Sequence, residues 1–156
     1  MSARQISRKR VKKCGGTSRG TFPNGAGFGY PRCDWYLSGS KELSRTAREI
    51  IATEEKNGAS IFVSAISLVE VVYLAERGRL PSAALHSLED ALADPAGSLV
   101  VTPLDAGVAR AVQKISRVAV PDMPDRIIAA TALHLNAELV TRDRRLQAAL
   151  KNRAIW

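Results

Sequence analysis

The chain has 156 residues, of which 46% are hydrophobic and 24% charged, proportions that suit one soluble domain with a core of its own. No apolar run reaches membrane-spanning length, and the basic N-terminus leads into GGTSRGTFPNGAGFGYP rather than the apolar segment of a secretory signal, so the expected setting is the cytoplasm, away from membranes. The formal charge of +8 is unevenly held: residues 1–33 carry eight of the 23 Lys and Arg and none of the 15 Asp and Glu, which leaves residues 34–156 neutral.

Residues 1–33 are rich in Gly, Ser, Arg and Lys and lack a periodic apolar segment, so they read as a disordered tail. Its run Arg8-Lys9-Arg10-Val11-Lys12-Lys13 can hold phosphates without sequence preference, although a solvated tail is the simpler reading. Cys14 and Cys33 fit neither a zinc spacing nor a disulfide framework and read as free thiols. Folded structure is expected from about Cys33-Asp34-Trp35-Tyr36-Leu37, which makes 34–156 the domain.

Ser44 is placed to cap a helix bearing Ala47, Ile50 and Ile51 on one face, with Asn57-Gly58 as its stop. Ala59-Ser60-Ile61-Phe62-Val63 reads as a buried strand, and Ser64 as the N-cap of a helix that runs to a stop at Gly78. Glu70 lies in this helix among Leu68, Val69, Val71 and Val72. A carboxylate in such company must find a cation, a donor or a metal, or else occupy a narrow exposed stripe. Pro81 then starts a helix with Leu85, Leu88 and Leu92 on one side, ending before Asp94-Pro95-Ala96-Gly97. His86 on that helix has no second His or Cys at ligand spacing and reads as a surface residue.

Ser98-Leu99-Val100-Val101-Thr102 is the next buried strand, and Asp105 caps a helix carrying Val108, Val112 and Ile115. The segment Val120 to Asp143 follows. Asp122 and Asp125 open a helix whose apolar residues Ile127, Ile128, Leu133 and Leu135 are spaced by alanines, and Asn136 stops it. Both acids also suit plain capping, with Asp122 at the N-cap, Pro124 in the first turn and Asp125 at N3. Glu138-Leu139-Val140-Thr141 reads as a short buried strand that ends just before Asp143, and a basic tail closes the chain.

Alternating helices and strands predict a parallel sheet covered by helices on both faces, with ligands taken outside the carboxyl ends of the strands. Glu70, Asp125 and Asp143 each belong near such an end. Three carboxylates there repel one another unless a cation intervenes, and an oxygen-only donor set selects hard ions such as Mg²⁺ or Mn²⁺, hence phosphate chemistry.

Three blocks together resemble a PIN domain, and within it a VapC-type toxin of a toxin–antitoxin pair: Val63-Ser64-Ala65-Ile66-Ser67-Leu68-Val69-Glu70, the stretch from Asp122 to Ala132, and Leu139-Val140-Thr141-Arg142-Asp143. The resemblance covers residues 35–156. It implies a three-layer α/β/α sandwich and a metal-dependent endoribonuclease that cleaves RNA, forms a homodimer and is neutralised by a cognate antitoxin. Glu70, Asp125 and Asp143 match the acidic positions, with Asp122 and Thr141 as supporting ones. Arg126, Arg142, Arg144 and Arg145 flank the acids and are candidates for holding RNA phosphates, or are simply solvated. The chain departs from the family at its start: an apolar strand ending in Asp is expected there, and Gly29-Tyr30-Pro31-Arg32-Cys33 offers a Pro and an Arg instead, so the first strand and its acid read as missing. Asp34 falls too late to replace that acid. A PIN-like protein that binds an antitoxin or RNA without cutting is therefore the rival reading. A phosphoacceptor receiver domain fits less well, because no Lys follows a late strand, and a generic domain with a basic nucleic-acid-binding tail would leave the three acids without a role.

Overall fold

The computed structural model describes Ala26–Phe28 and residues 43–156. Apart from those three residues, the basic tail of 1–33 and the expected start of the fold at Cys33 to Leu37 lie outside the described residues. Five parallel strands run in the order β3-β2-β1-β4-β5, with β1 at Ala26–Phe28, β2 at Ile61–Ser64, β3 at Leu99–Thr102, β4 at Glu138–Val140 and β5 at Ala154–Ile155. The strand read as missing is therefore present and central. Gly27 pairs with Phe62 on one side and Leu139 on the other. It escapes sequence reading because Ala-Gly-Phe is too short to show alternation, while Pro31 and Arg32 lie beyond it rather than within it.

Six helices are described: α1 (Arg45–Lys56), α2 (Ala65–Glu76), α3 (Ser82–Ala93), α4 (Ala106–Ala111), α5 (Met123–Leu135) and α6 (Arg144–Leu150). Most boundaries follow local chemistry. Ser44 accepts the Ala47 amide at 3.1 Å and Asp105 that of Val108 at 2.9 Å, each satisfying an N-terminal donor of its helix. Asn136 ends α5 in the left-handed region at φ 55°, a conformation Asn tolerates better than most residues. The helix expected to run through Ile115 is shorter: α4 stops at Ala111 and tightens into a 3₁₀ turn over Val112–Lys114. The closing basic tail is structured too, since α6 leads into β5, whose two residues extend the sheet beside β4.

The core lies on both faces of the sheet. On one face Ile61, Val63 and Val140 pack with Ala47 and Ile51 of α1, Val71 of α2 and Leu88 of α3. On the other, Leu139 packs with Val108 of α4, Ile127 and Ile128 of α5 and Leu146 of α6. Adjacent residues Leu139 and Val140 thus feed opposite layers, as the pleat of a strand requires, and the result is a three-layer α/β/α sandwich. Helix α2 touches both layers, Val71 facing one and Ile66 the other. None of the described helices is long and apolar enough to cross a membrane.

Candidate active site at the carboxyl edge of the sheet

The chain passes from β1 to β2 and β3 on one side of the sheet, then returns to place β4 and β5 on the other. The order reverses next to β1, and in an open parallel sheet this is where a crevice opens outside the carboxyl ends of the strands. The segments that leave β2 and β4, and the one that enters α5, carry the three acids read from the sequence.

Glu70 lies in the second turn of α2, directly after β2, between buried Ser67 and Val71. The residue is half-buried and its Oε2 is fully enclosed, in keeping with the apolar surroundings read from the sequence. Ser64, the last residue of β2, sits at the N-cap position of α2 but makes no cap. Its Oγ lies 3.0 Å from Oγ1 of Thr131 in α5, and both residues are buried. Thr131 Oγ1 is also 2.8 Å from the Ile127 carbonyl, which can only accept. The one Thr131 hydroxyl proton therefore goes to Ile127, and Ser64 donates to Thr131. This pair joins the helix of Glu70 to the helix of Asp125.

Asp122 caps α5 through Oδ2, which accepts the Asp125 amide at 3.3 Å. Asp125 is the acid of the first turn, close to the positive end of the helix, and is half-buried while Asp122 is exposed. The capping role and the site role are compatible, because Asp122 supplies the cap and leaves the Asp125 carboxylate outside it.

Thr141 fixes the third acid. Fully buried, it donates its amide to Ile155 at 2.9 Å, accepts Gln147 Nε2 on its carbonyl at 2.7 Å and accepts the Asp143 amide on Oγ1 at 3.1 Å. Asp143 in turn caps α6, its Oδ1 taking the amides of Arg145 at 2.7 Å and Leu146 at 3.0 Å. Oδ2 takes no part in the cap. Arg142, Arg144 and Arg145 stand exposed around this turn. Arg126 differs from them: it is half-buried, and its Nη2 donates to the carbonyls of Val112 at 3.3 Å and Ile115 at 3.0 Å.

Among the described residues, no three His, Cys, Asp or Glu side chains form a group that could hold a metal ion together. The acids are carried by three separate elements, α2, the first turn of α5 and the start of α6. The donor set still fits a hard divalent cation in kind, being carboxylate oxygen throughout, and Mg²⁺ takes one or two carboxylates and fills its remaining positions with water and substrate oxygen. The sequence directly after β1, from Gly29 to Cys33, holds no Asp or Glu.

The sequence does not reveal the Ser64–Thr131 pair or the Arg126 bonds. Ser64 looks like a cap, and the one trace of its partner is a lone hydroxyl among the alanines of α5.

Comparison with known proteins agrees with this architecture. No curated protein matches the chain in sequence. A solved structure of VapBC2 from Rickettsia felis, bound to a DNA fragment from its promoter, includes a chain similar in fold, with a TM-score of 0.63 and 18% identity over 84% of this chain and 97% of that one. The PIN domain family profile matches residues 35–151, three quarters of the sequence and all three acidic blocks, and the chain belongs to the PIN domain family.

Proposed function

We propose that this protein is a VapC-type toxin: a cytoplasmic, homodimeric endoribonuclease that cleaves RNA phosphodiesters with Mg²⁺ or Mn²⁺ and is neutralised by a cognate antitoxin. One observation carries the reading, namely that Glu70, Asp125 and Asp143 come from three separate elements bordering the carboxyl edge of a PIN fold. The likeness in fold to a chain of a VapBC2 complex supports the antitoxin partner.

Glu70, Asp125 and Asp143 would hold the ion, with Asp122 and Thr141 in support. When bound, the ion supplies neutralisation of phosphate charge and a more acidic attacking water. The protein's own residues supply placement. Thr141 and the α6 cap fix the Asp143 backbone, and the Ser64–Thr131 bond fixes the spacing of α2 and α5. Exposed Arg144 and Arg145, with Arg142, offer cations to the RNA backbone beside Asp143.

A second reading, a PIN protein that binds an antitoxin or RNA without cutting, draws on the lack of an Asp or Glu from Gly29 to Cys33, directly after β1. The two separate on cleavage of a mixed-sequence single-stranded RNA, with Mg²⁺ or with chelator, by the native chain and Asp125→Asn. Cutting that requires Mg²⁺ and falls at least about a hundredfold in Asp125→Asn supports the nuclease. Binding of the same RNA without Mg²⁺-dependent cutting supports the second reading.

A further inference from the structure

Arg126 follows Asp125 directly, and its charge beside an acid in the first turn of α5 suggests a phosphate contact. Its geometry assigns it a different task. A guanidinium grips a phosphate best side-on, through Nε and one terminal nitrogen. Here Nε is fully buried with no hydrogen-bond partner, and Nη2 is committed to the Val112 and Ile115 carbonyls. Val112 opens the 3₁₀ turn Val112–Lys114 and Ile115 follows it, and the Val112 carbonyl, which also accepts the Ile115 amide at 3.1 Å, is shared between the turn and the guanidinium. The Arg126 amide meanwhile donates to the Asp122 carbonyl at 3.1 Å, closing the first turn of α5. Both ends of this residue are tied.

We infer that Arg126 is a positioning residue, a clamp that holds the first turn of α5 against the 3₁₀ turn and so sets where the Asp125 carboxylate stands. A buried, unpaired Nε is costly, and an apolar side chain of similar length would fill the space without it. What that side chain could not do is span to two carbonyls three residues apart. The part of the inference that concerns Asp125 as an ion ligand rests on the nuclease reading; the clamp itself does not.

The test compares the native chain with Arg126→Met, which keeps the apolar stem, and Arg126→Lys, which restores a donor. Amide exchange is read across residues 122–128, Mn²⁺ binding by the electron paramagnetic resonance of the free ion, and affinity for a mixed-sequence single-stranded RNA as a function of salt. The expected result for Arg126→Met is exchange faster by about tenfold in the first turn of α5, with β2 and β4 unchanged, weaker Mn²⁺ binding, and an unaltered salt slope. Arg126→Lys should recover part of the protection and of the Mn²⁺ affinity together. Unchanged exchange in Arg126→Met overturns the clamp, as does a salt slope that falls by about 0.7 with protection intact, since that is the mark of one lost phosphate contact. Absence of Mn²⁺ binding in the native chain would defeat the reading of the site, and the exchange comparison would still decide the clamp.

Discussion

Replacing Thr131 with Val keeps the shape of the side chain and removes the one hydroxyl that bridges α5 to the end of β2. The bond to the Ile127 carbonyl is a minor loss, because helix residues make such back-bonds at little net gain. The larger effect falls on Ser64, which is 3% exposed and would be left with a buried, unpaired hydroxyl. Stranding a buried donor costs about 1–3 kcal/mol, against about 1 kcal/mol for the bond itself. Ser64→Ala alone leaves Thr131 with its Ile127 partner and should cost about 1 kcal/mol or less. The double variant has no stranded group, so it should be no less stable than Thr131→Val, and the single effects should fail to add by about 1 kcal/mol or more. Urea unfolding of the four proteins, with equal m-values as a check that the end states are unchanged, measures this directly. In thermal unfolding Thr131→Val should fall by roughly 2–10 °C for a chain of this size. Additivity within about 0.3 kcal/mol would show that the two hydroxyls are not coupled, and α2 and α5 would need another tie.

Asp143→Ala should cost about 1 kcal/mol, because two amides of α6 lose their acceptor, whereas Asp143→Asn should keep the cap and most of the stability while weakening Mn²⁺ binding; denaturant melts and ion titration separate the two effects. Asn136→Ala puts in the left-handed region a residue that tolerates it less well than Asn and removes the 2.7 Å bond from Arg153 Nη1, for a loss of about 1–2 kcal/mol by urea melt, and Asn136→Gly should lose less. The Asp105 carboxyl is held below its ordinary 3.8, chiefly by the Val108 amide that it caps. A carboxyl lowered on folding contributes stability that is complete above the unfolded value and disappears as pH falls through the folded one. Asp105→Asn, which keeps a capping oxygen but cannot titrate, should therefore flatten the acid side of the stability profile below about pH 4 and leave neutral pH nearly unchanged.

Much of the fold is legible in the sequence because local chemistry and long-range pattern agree there. Asp105, Asp122 and Asn136 carry recognisable caps, and Leu139 and Val140 show the apolar run of a strand covered on both faces. Legibility fails where structure is borrowed from neighbours. Ala26–Phe28 and Ala154–Ile155 are strands because β2 and β4 offer open edges to them, and neither has enough residues for a period of its own. The candidate site divides in the same way. Glu70 is conspicuous as a charge inside an apolar helix, and Asp125 and Asp143 as acids at element starts. The choice between capping and ion binding does not show in residue type, since Asp143 caps with one oxygen and keeps another outside the cap. Arg126 resembles the surface arginines in its position beside an acid, but its environment separates it from them: two backbone carbonyls from a segment more than ten residues earlier hold its guanidinium.

If Glu70, Asp125 and Asp143 serve a hydrolytic site that the absence of an acid from Gly29 to Cys33 limits, an acid restored there should raise its activity. Mg²⁺-dependent cleavage of single-stranded RNA, measured side by side for the native chain, Gly29→Asp and Gly29→Asp with Asp125→Asn, tests this most directly. Gly29 is the first residue after β1, so the substitution supplies the carboxylate that the resemblance expects there. The expected result is weak, chelator-sensitive cutting by the native chain, stronger chelator-sensitive cutting by Gly29→Asp, and its loss on adding Asp125→Asn. Cutting that persists in the double variant or in chelator, or a Gly29→Asp protein that binds Mg²⁺ and still leaves RNA intact, would contradict it.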